Sequence, residues 1–390
     1  MAGHGKKRSV IREIFEYSKV RAAQIGAENV LDFSIGNPSV PAPDCVNDTI
    51  RKLLEGDSTA LHGYTSAQGD AGVRKAVADY LNTQHGTSLT ADCIYMTVGA
   101  AASLTITVKA LTVDDDEFIA FAPYFTEYKL FVESAGAKLV VVDPDLNTFQ
   151  PDLAAFEKAV NEHTKGIIIN SPNNPSGVVY SEDTIIAIAD ILRKKEKEYG
   201  HPIYLITDEP YRELVYDGIK VPFVVNYYDN TVVCYSFSKA LSLPGERIGY
   251  IAVSNKAEEF SEVYAAVCGA GRCLGYVCAP SLFQFVIKEC IGATADVSIY
   301  KKNRDLLYNN LTSYGYNCIK PDGAFYLFVQ ALEENANAFC ERAKKYELLL
   351  VPGDDFGCPG FVRIAYCVST QRIEKALPGF KKLAEEYKNI

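Results

Sequence analysis

A lysine flanked by hydroxyl side chains follows an apolar run in the middle of the chain. Ser236, Ser238 and Lys239 come directly after Thr231–Tyr235, and Arg247 stands eight residues beyond the lysine. An amine can form a Schiff base with a carbonyl compound, and hydroxyl and guanidinium groups can hold a phosphate. Most lysines that follow strands are solvated charges, so the chemical interpretation depends on partner groups elsewhere in the chain.

Two earlier segments could supply a phosphate site and an aromatic surface. Gly99, Ala100 and Ala101 follow an apolar run and open a helical pattern, which leaves the backbone N–H groups of a helix N-terminus accessible to an anion. Phe125 follows the next apolar run, and an aromatic ring at a strand end can stack on a planar ligand. Each segment also fits a plain structural role, as a packed turn or a core side chain.

Two polar segments follow later apolar runs. Asn174 lies within the turn-forming segment Ser171–Gly177, where its amide could close a turn or contact a ligand oxygen. Asp208 directly follows the apolar run Ile203–Thr207, and a buried carboxylate there requires a partner. With five histidines in the chain, no metal site is predicted. A protonated ring nitrogen is the other partner we consider, and Tyr211 is close enough in sequence to face the same ligand.

Regular elements must bring these residues together. Seven short apolar runs alternate with helical patterns, which predicts an α/β fold with a mostly parallel sheet covered on both faces. In such a sheet the ligand lies beyond the carboxyl ends of the strands, where most of the polar residues above fall. The predicted strands are Cys93–Val98, Glu117–Ala122, Lys138–Val142, Gly166–Asn170, Ile203–Thr207, Thr231–Tyr235 and Ile248–Val253, and the predicted helices between them include Ala101–Leu111, Glu127–Ala135, Leu153–Val160 and Asp183–Tyr199.

The last hundred residues have a different pattern. One long helical stretch, Ser281–Tyr314, precedes an apolar run and further helix and strand patterns, which predicts a smaller α+β domain. Val30–Ser39 either joins that domain or links the two domains. We therefore predict an N-terminal arm with part of the small domain over 1–45, a large domain over 46–280 and a small C-terminal domain over 281–390.

The composition excludes several classes of function. The chain has 390 residues and a net charge of −10, and an acidic chain is a poor candidate for binding nucleic acid or anionic membranes. No apolar run approaches the ~20 residues that span a bilayer, and the basic segment Met1–Arg12 is not followed by a signal core. The 11 cysteines include no Cys-x-x-Cys pair, so we expect reduced thiols and a cytoplasmic location.

In this order and spacing, the motifs from Ile35-Gly36-Asn37-Pro38 to Arg363 resemble the class I/II aminotransferases, which are fold-type I enzymes dependent on pyridoxal 5'-phosphate (PLP). The resemblance is strongest to aspartate aminotransferase-like members. It implies a large domain with a mostly parallel seven-stranded sheet, a smaller α+β domain and a homodimer with shared active sites.

The resemblance also implies a role for each matching residue. Lys239 would carry PLP as a Schiff base, Asp208 would pair with the pyridine nitrogen, and Arg363 would hold the substrate α-carboxylate as a bidentate fork. The phosphate would be bound by Gly99, Ala100, Ala101, Ser236, Ser238 and Arg247, and Tyr64 would reach the phosphate of the other subunit. Asn174 and Tyr211 would contact the phenolic oxygen of the ring, and Phe125 would contact the ring face. Gly36 and Asn174 would contact the substrate.

The implied activity is transamination between an L-amino acid and a 2-oxo acid. Lys239 would move the Cα proton and the kinetics would be ping-pong, with aspartate or glutamate and 2-oxoglutarate as the predicted substrates. Arg272 could read a second carboxylate, or could simply stabilise a domain junction. Phe125 and Glu246 stand where several relatives carry tryptophan, which favours a broader or aromatic-tolerant specificity.

Other functions use the same residues. A C–S β-lyase and a broad-specificity aromatic aminotransferase both fit Lys239 and Asp208, because the fold does not decide the reaction. A non-enzymatic PLP-binding regulator would need a DNA-binding domain, and the ~30 residues before Asp32 are too few for one. A nicotinamide-dependent dehydrogenase would need a Gly-x-Gly-x-x-Gly motif after a strand, and the sequence has none.

Overall fold

A seven-stranded sheet forms the centre of the larger part of the molecule. The computed structural model describes residues 10–388, so the basic residues Met1–Ser9 of the predicted arm lie outside it. After a short strand β1 (Leu31–Asp32), the sheet strands are β2 (Ile94–Thr97), β3 (Glu117–Phe121), β4 (Lys138–Val142), β5 (Thr164–Asn170), β6 (Tyr204–Asp208), β7 (Thr231–Ser236) and β8 (Gly249–Val253). They lie in the order β2-β8-β7-β6-β5-β3-β4. Strand β8 is antiparallel to both neighbours, and the other pairs are parallel.

The predicted mostly parallel sheet is confirmed. Every residue of β6, β7 and β8 is buried. Since both faces of these strands are covered, their sequences are continuously apolar and do not alternate with polar residues. The observed strand ends agree with the predicted runs to within two residues. The carboxyl ends of the parallel strands therefore meet at one edge of the sheet, as the prediction requires.

Helices cover the sheet on both faces. In chain order the helices begin with α1 (Val10–Ile25), whose Ile14 belongs to one hydrophobic cluster with Leu349 and Val351 of the smaller group of elements described next. Those that follow are α2 (Asp44–Leu54), α3 (Ser58–His62), α4 (Ala71–His85), α5 (Ala100–Leu111), α6 (Glu127–Ala135), α7 (Leu153–Ala159), α8 (Glu182–Tyr199), α9 (Phe237–Ala240) and α10 (Phe260–Cys273). The four helices predicted between the strands are confirmed to within one residue. The short helix α9 is capped by Ser236, whose side chain accepts a hydrogen bond from the Ser238 N–H. This cap fixes the conformation of the segment that carries Lys239.

A second, smaller group of elements packs on the carboxyl edge of the sheet. Its strands are β9 (Tyr326–Gln330), β10 (Leu348–Leu349), β11 (Val351–Pro352) and β12 (Phe361–Ala365), and the last four helices of the chain are α11 (Ser281–Cys290), α12 (Ser298–Tyr314), α13 (Ala336–Ala343) and α14 (Thr370–Lys388). Strands β11, β12 and β9 form an antiparallel sheet in that order. Strand β1 pairs with β10, so Val30–Ser39 joins this smaller group.

The prediction of one long helix over Ser281–Tyr314 was wrong. The structure has two helices there, α11 and α12, separated by 291–297. Ile291 leaves the helical conformation with a ψ of 135°, and Gly292 then adopts a φ of +85°, which glycine does readily. The Ala295 N–H donates to the Ala240 carbonyl oxygen at 2.7 Å, which ties this loop to α9.

The packing of α11 bears on the domain boundary. Val286 and Ile287 of α11 belong to the same hydrophobic cluster as Val46 and Val73 of the larger part. The smaller part has its own cluster, built around side chains such as Phe325. The division into domains stays a prediction, and this packing favours a boundary after Cys290.

Three general properties concern residues 10–388 alone. No helix in that range is both long and apolar enough to cross a membrane. All of the cysteines are free thiols. No group of three or more His, Cys, Asp or Glu side chains in the same range is arranged to hold a metal ion.

Candidate active site

Most of the predicted site residues line one cavity at the carboxyl edge of the sheet. The cavity has a volume of about 350 Å³ and opens between the large sheet and the smaller group of elements. The predicted residues along its walls are Gly36, Ala100, Ala101, Phe125, Asn174, Asp208, Tyr211, Ser236, Ser238, Lys239, Arg247 and Arg363. Residues separated by more than 300 positions in the chain therefore face the same small volume.

Lys239 extends from α9 into this cavity. Its Nζ donates a hydrogen bond to the Gly36 carbonyl oxygen at 2.6 Å and lies 5.3 Å from the centre of the Phe325 ring. Burial lowers the pKa of this amine to about 8, and the positive charges of Arg247 and Arg363 act in the same direction, whereas Cys367 opposes them. A substantial fraction of the amine is thus neutral and nucleophilic near physiological pH.

Asp208 ends β6 with one carboxylate oxygen paired and the other unpaired. Tyr128 donates its hydroxyl proton to Oδ2 at 2.6 Å, and the Asn170 amide donates to the Asp208 carbonyl oxygen at 2.8 Å. Oδ1 is buried and has no hydrogen-bond partner. Burial raises the pKa of this carboxyl to about 7, although the Tyr128 hydrogen bond lowers it. The unpaired oxygen is the acceptor that a cationic N–H donor would satisfy.

Sequence reasoning missed Tyr128. It lies three residues after Phe125, which precedes α6, and it falls in the first turn of that helix. Their rings pack edge to face at 5.7 Å. That spacing is the signal that could have predicted its place beside the ligand pocket.

Arg363 is presented by β12 as a preformed fork. Nη1 donates to the Asn174 side-chain oxygen at 3.0 Å, and Nη2 donates to the Ser34 carbonyl oxygen at 2.6 Å. The guanidinium also lies 4.6 Å from the Tyr326 ring centre. The arginine is 2% exposed, and its Nε is buried without a partner. A buried guanidinium with an unused N–H is suited to a carboxylate ligand.

Hydroxyl and guanidinium groups converge next to Lys239. The Ser236 and Ser238 hydroxyl oxygens lie 2.7 Å apart, and Arg247 donates from Nη1 to the Ser238 hydroxyl at 3.4 Å. Gly99 has a φ of +93°, and a Cβ there would lie 2.5 Å from Arg247 Nη2. The glycine therefore lets the start of α5 approach the arginine, which creates a cup with several donors for an anion.

Tyr211 and Gly36 meet at a second tyrosine that sequence reasoning did not identify. The Tyr211 and Tyr326 hydroxyls are hydrogen-bonded at 3.0 Å. A Cβ on Gly36 would lie 1.9 Å from the Tyr326 hydroxyl, so only glycine fits at this position. Tyr326 comes more than 100 residues after Tyr211 in the chain, and no local pattern pairs the two.

Tyr64 and Arg272 do not line the cavity. Tyr64 is fully exposed, at 100%, and Arg272 is exposed in the last turn of α10. Leu274 and Val277, which follow Arg272, are also exposed apolar side chains. The roles predicted for Tyr64 and Arg272 require a second subunit, and they stay predictions.

Comparisons with known proteins agree with this geometry. The family model for aminotransferase class I and II matches residues 28–380. The chain is 29% identical to the aspartate aminotransferase of Thermotoga maritima, over 92% of this chain and 93% of the relative. Among solved structures, an amino transferase from Eubacterium rectale is 62% identical with a TM-score of 0.97, over 99% of this chain and 98% of its own. An aspartate aminotransferase from Thermus thermophilus with maleate is 26% identical with a TM-score of 0.87, over 97% and 98% respectively.

Proposed function

Since the chain belongs to the class I and II aminotransferase family, and is thereby a PLP-dependent transaminase, we propose that it transfers the amino group of aspartate or glutamate to 2-oxoglutarate by ping-pong chemistry. This proposal rests on two groups that line the same cavity. One is a buried carboxylate with an oxygen that has no hydrogen-bond donor, and the other is an amine with a lowered pKa. Asp208 and Lys239 are those two groups.

The described residues fit PLP. The unpaired Oδ1 of Asp208 would accept from the protonated ring nitrogen. The cup of Ser236, Ser238 and Arg247 would hold the phosphate. Asn174 and Tyr211 would contact the phenolic oxygen, and Phe125 would lie against the ring face. Each of these groups lines the cavity, and each is the chemical complement of one part of the cofactor.

When bound, PLP supplies a carbonyl carbon for amines and a protonated ring that accepts electron density. Arg363 holds the substrate carboxylate and so orients the Cα–H bond towards Lys239. Lys239 Nζ removes that proton and later returns it, because its lowered pKa allows both states near neutral pH. Asp208, which accepts a hydrogen bond from Tyr128, would place its carboxylate against the ring nitrogen.

Two classes of amino-acid donor are candidates, and dicarboxylic donors such as aspartate are the first. The aspartate preference is supported by the named activity of the Thermotoga maritima relative and by the maleate, a dicarboxylate, that accompanies the Thermus thermophilus aspartate aminotransferase in its structure. The cations on the cavity wall are Lys239, Arg247 and Arg363, and each has another role above. For a second carboxylate we propose Arg272 of a second subunit, a residue that is exposed in the last turn of α10.

Aromatic or other apolar donors are the second candidate. The observation that favours them is the apolar wall formed by Ile11, Ile35 and Leu104. An apolar wall receives an aromatic or aliphatic side chain at no desolvation cost, whereas it disfavours a carboxylate.

We further propose a cytoplasmic homodimer in which Tyr64 of one subunit reaches the phosphate of the other. The exposed Tyr64, Leu274, Tyr276 and Val277 are apolar or aromatic side chains, and they support an interface. Size-exclusion chromatography with light scattering tests this directly, and a monomer that is fully active would contradict it.

A panel of amino-acid donors tests the function. Purified protein with PLP is mixed with each donor, and the loss of the lysine-bound cofactor absorption is followed before 2-oxoglutarate is added. Aspartate and glutamate should convert the cofactor fastest, and aspartate should yield glutamate on addition of the acceptor. Faster conversion by phenylalanine or tyrosine would select the second candidate. Conversion by no amino acid, or release of pyruvate and ammonia from cysteine without an acceptor, would contradict transamination.

A further inference from the structure

A second, much smaller cavity lies behind the helix that carries Lys239. Its volume is about 10 Å³, which is close to the minimum for one water-sized occupant. Phe237 of α9 forms part of its wall, so the cavity adjoins the segment of Ser236 and Lys239. The other lining residues are Tyr80, Glu213, Tyr235, Tyr250, Ile291, Gly292 and Ala293.

Glu213 presents an unpaired oxygen at this cavity. The residue as a whole is only partly buried, but its Oε2 atom is buried and has no hydrogen-bond partner. Burial raises the pKa of the carboxyl to about 7, although hydrogen bonding by Tyr235 and the charge of Arg212 oppose this rise. A buried carboxylate oxygen without a partner costs free energy, and an occupant of this cavity would supply the partner that Oε2 lacks.

The charges around Glu213 do not balance. Arg212 is the neighbouring cation, but its Nε pairs with Glu209 at 2.5 Å. Its other N–H groups donate to the carbonyl oxygens of Val221 and Pro222. The pair of Glu209 and Arg212 is therefore neutral and fully engaged. An ionised Glu213 leaves this buried region with one uncompensated negative charge.

A nearby histidine does not supply the missing charge. The His85 ring stacks on Phe223 at 4.2 Å. Burial, with Arg212 in addition, lowers the pKa of this imidazole to about 4. His85 is therefore neutral at physiological pH. What remains to balance Glu213 is a proton or a small cation.

The aromatic walls match a weakly hydrated cation. Tyr80, Tyr235 and Tyr250 line the cavity together with Glu213. Burial raises the pKa of each tyrosine, and the negative charge of Glu213 acts in the same direction, so their hydroxyls stay protonated and neutral. The Tyr235 and Tyr250 rings stack on each other with their centres 4.8 Å apart, which holds these two side chains in place on the cavity wall. One carboxylate with neutral oxygens suits potassium better than magnesium, which retains several waters in octahedral geometry.

We propose that Glu213, together with the hydroxyls of Tyr80, Tyr235 and Tyr250, binds one potassium-sized monovalent cation behind α9. This site is separate from the substrate cavity and does not depend on the proposed substrates. The bound cation neutralises Glu213 and stabilises the ends of β7 and β8 against the loop that contains Gly292.

A proton competes with this cation for Glu213. The titratable and charged groups that face the carboxyl are Tyr80 from α4, Glu209 and Arg212 from the segment after β6, Tyr235 from β7 and Tyr250 from β8. Between pH 6 and pH 8 the tyrosines stay protonated and the ion pair of Glu209 and Arg212 stays formed. The effect of the cation should therefore be complete above pH 8 and absent below pH 6.

Thermal unfolding of the PLP-bound enzyme tests the proposal. At pH 8 the melting temperature should be about 2 °C higher in ~100 mM potassium chloride than in tetramethylammonium chloride of equal ionic strength. Sodium should have a smaller effect, and at pH 5.5 the salts should be equivalent. Glu213→Gln should remove the difference, and Glu262→Gln, at an exposed glutamate, should retain it.

Crystals soaked in rubidium chloride provide a test that needs no variant. An anomalous peak within about 3 Å of Glu213 Oε2 is expected for a potassium site of this size. The absence of that peak would overturn the proposal, since Glu213 would then hold a water or a proton. Equal melting temperatures of the wild-type protein in all three salts at pH 8 would overturn it as well.

Discussion

Two carboxylates five residues apart, Asp208 and Glu213, face different cavities on the segment at the end of β6. Each has one buried oxygen without a partner, and burial raises the pKa of each to about 7. The Asp208 cavity measures about 350 Å³ and the Glu213 cavity about 10 Å³. Both carboxylates thus have a buried oxygen without a partner. The Asp208 cavity has room for a ring, whereas the Glu213 cavity has room for a single ion.

The two carboxylates also differ in the side chains that line their cavities. Asp208 shares its cavity with Lys239 and Arg363, which can react with or hold an organic ligand. Glu213 shares its cavity with three tyrosines, and within residues 10–388 no lysine or arginine lines that cavity. A perturbed carboxyl pKa is therefore not sufficient to locate a catalytic site, because the surrounding groups decide which ligand can relieve it.

The comparison assigns the chemistry to the Asp208 cavity, so the largest effect should come from its nucleophile. Lys239→Ala should reduce turnover by at least about 10⁴-fold, because it removes both the attachment point and the proton carrier. Steady-state transamination and the cofactor absorption would measure this. Lys256→Ala, at an exposed lysine, is the control. Substantial activity in Lys239→Ala would place the reacting amine elsewhere.

Arg363→Lys should have the next largest effect. It keeps the positive charge but removes the planar fork and its unused Nε–H, so kcat/KM should fall by about 10²-fold. The loss should be similar for every donor, since all share the α-carboxylate. Arg51→Lys, at an exposed arginine that pairs with Asp48, serves as the control. A loss confined to dicarboxylic donors would instead assign Arg363 to the side chain.

Tyr128→Phe should give a smaller loss, of about tenfold in kcat. Without the hydroxyl donor to Oδ2, the pKa of Asp208 rises further, so less of the carboxylate is ionised near neutral pH. The loss should therefore deepen as the pH falls from 8 to 6. Tyr124→Phe removes a hydroxyl from the ring that stacks on Tyr128, and it should behave like the wild type. A pH-independent loss would indicate a purely structural role.

The smallest effect concerns pH alone. Since burial lowers the pKa of Lys239 to about 8 from the usual 10.5, the neutral amine becomes dominant as the pH rises through 8. The rate at which the PLP-free protein takes up the cofactor should rise with pH and level off with an apparent pKa near 8. Stopped-flow absorbance would measure it. A rate that continues to rise to pH 10 would mean that Lys239 is solvated like a surface lysine.

Local patterns predicted much of this structure because they report local interactions. The strands of the sheet and residues next to their ends, such as Asp208 and Lys239, lie close to their predicted positions. The prediction of a continuous helix over 281–314 was wrong, because the chain leaves helical geometry at Ile291, and the positive φ of Gly292 and the hydrogen bond of Ala295 to Ala240 hold the loop that follows. The second of these is a tertiary contact that no helical periodicity contains.

The missed groups share a physical reason. Tyr326, whose hydroxyl meets both Tyr211 and Gly36, comes from a strand of the smaller group. The Ser34 carbonyl oxygen holds Arg363 across 329 positions of sequence. Such pairs depend on how the two parts of the molecule pack together. A resemblance to a family supplies the residues that contact the ligand, but not the side chains that hold those residues in place.

The most direct test of the account compares the two carboxylates with isosteric variants. Transamination is measured for Asp208→Asn and Glu213→Gln at saturating PLP and pH 8. We expect a loss in kcat of about 10³-fold for Asp208→Asn, because the charge that would face the ring nitrogen is removed, and a change of less than about threefold for Glu213→Gln. Equal losses in both variants, or an active Asp208→Asn, would contradict the assignment of the two cavities.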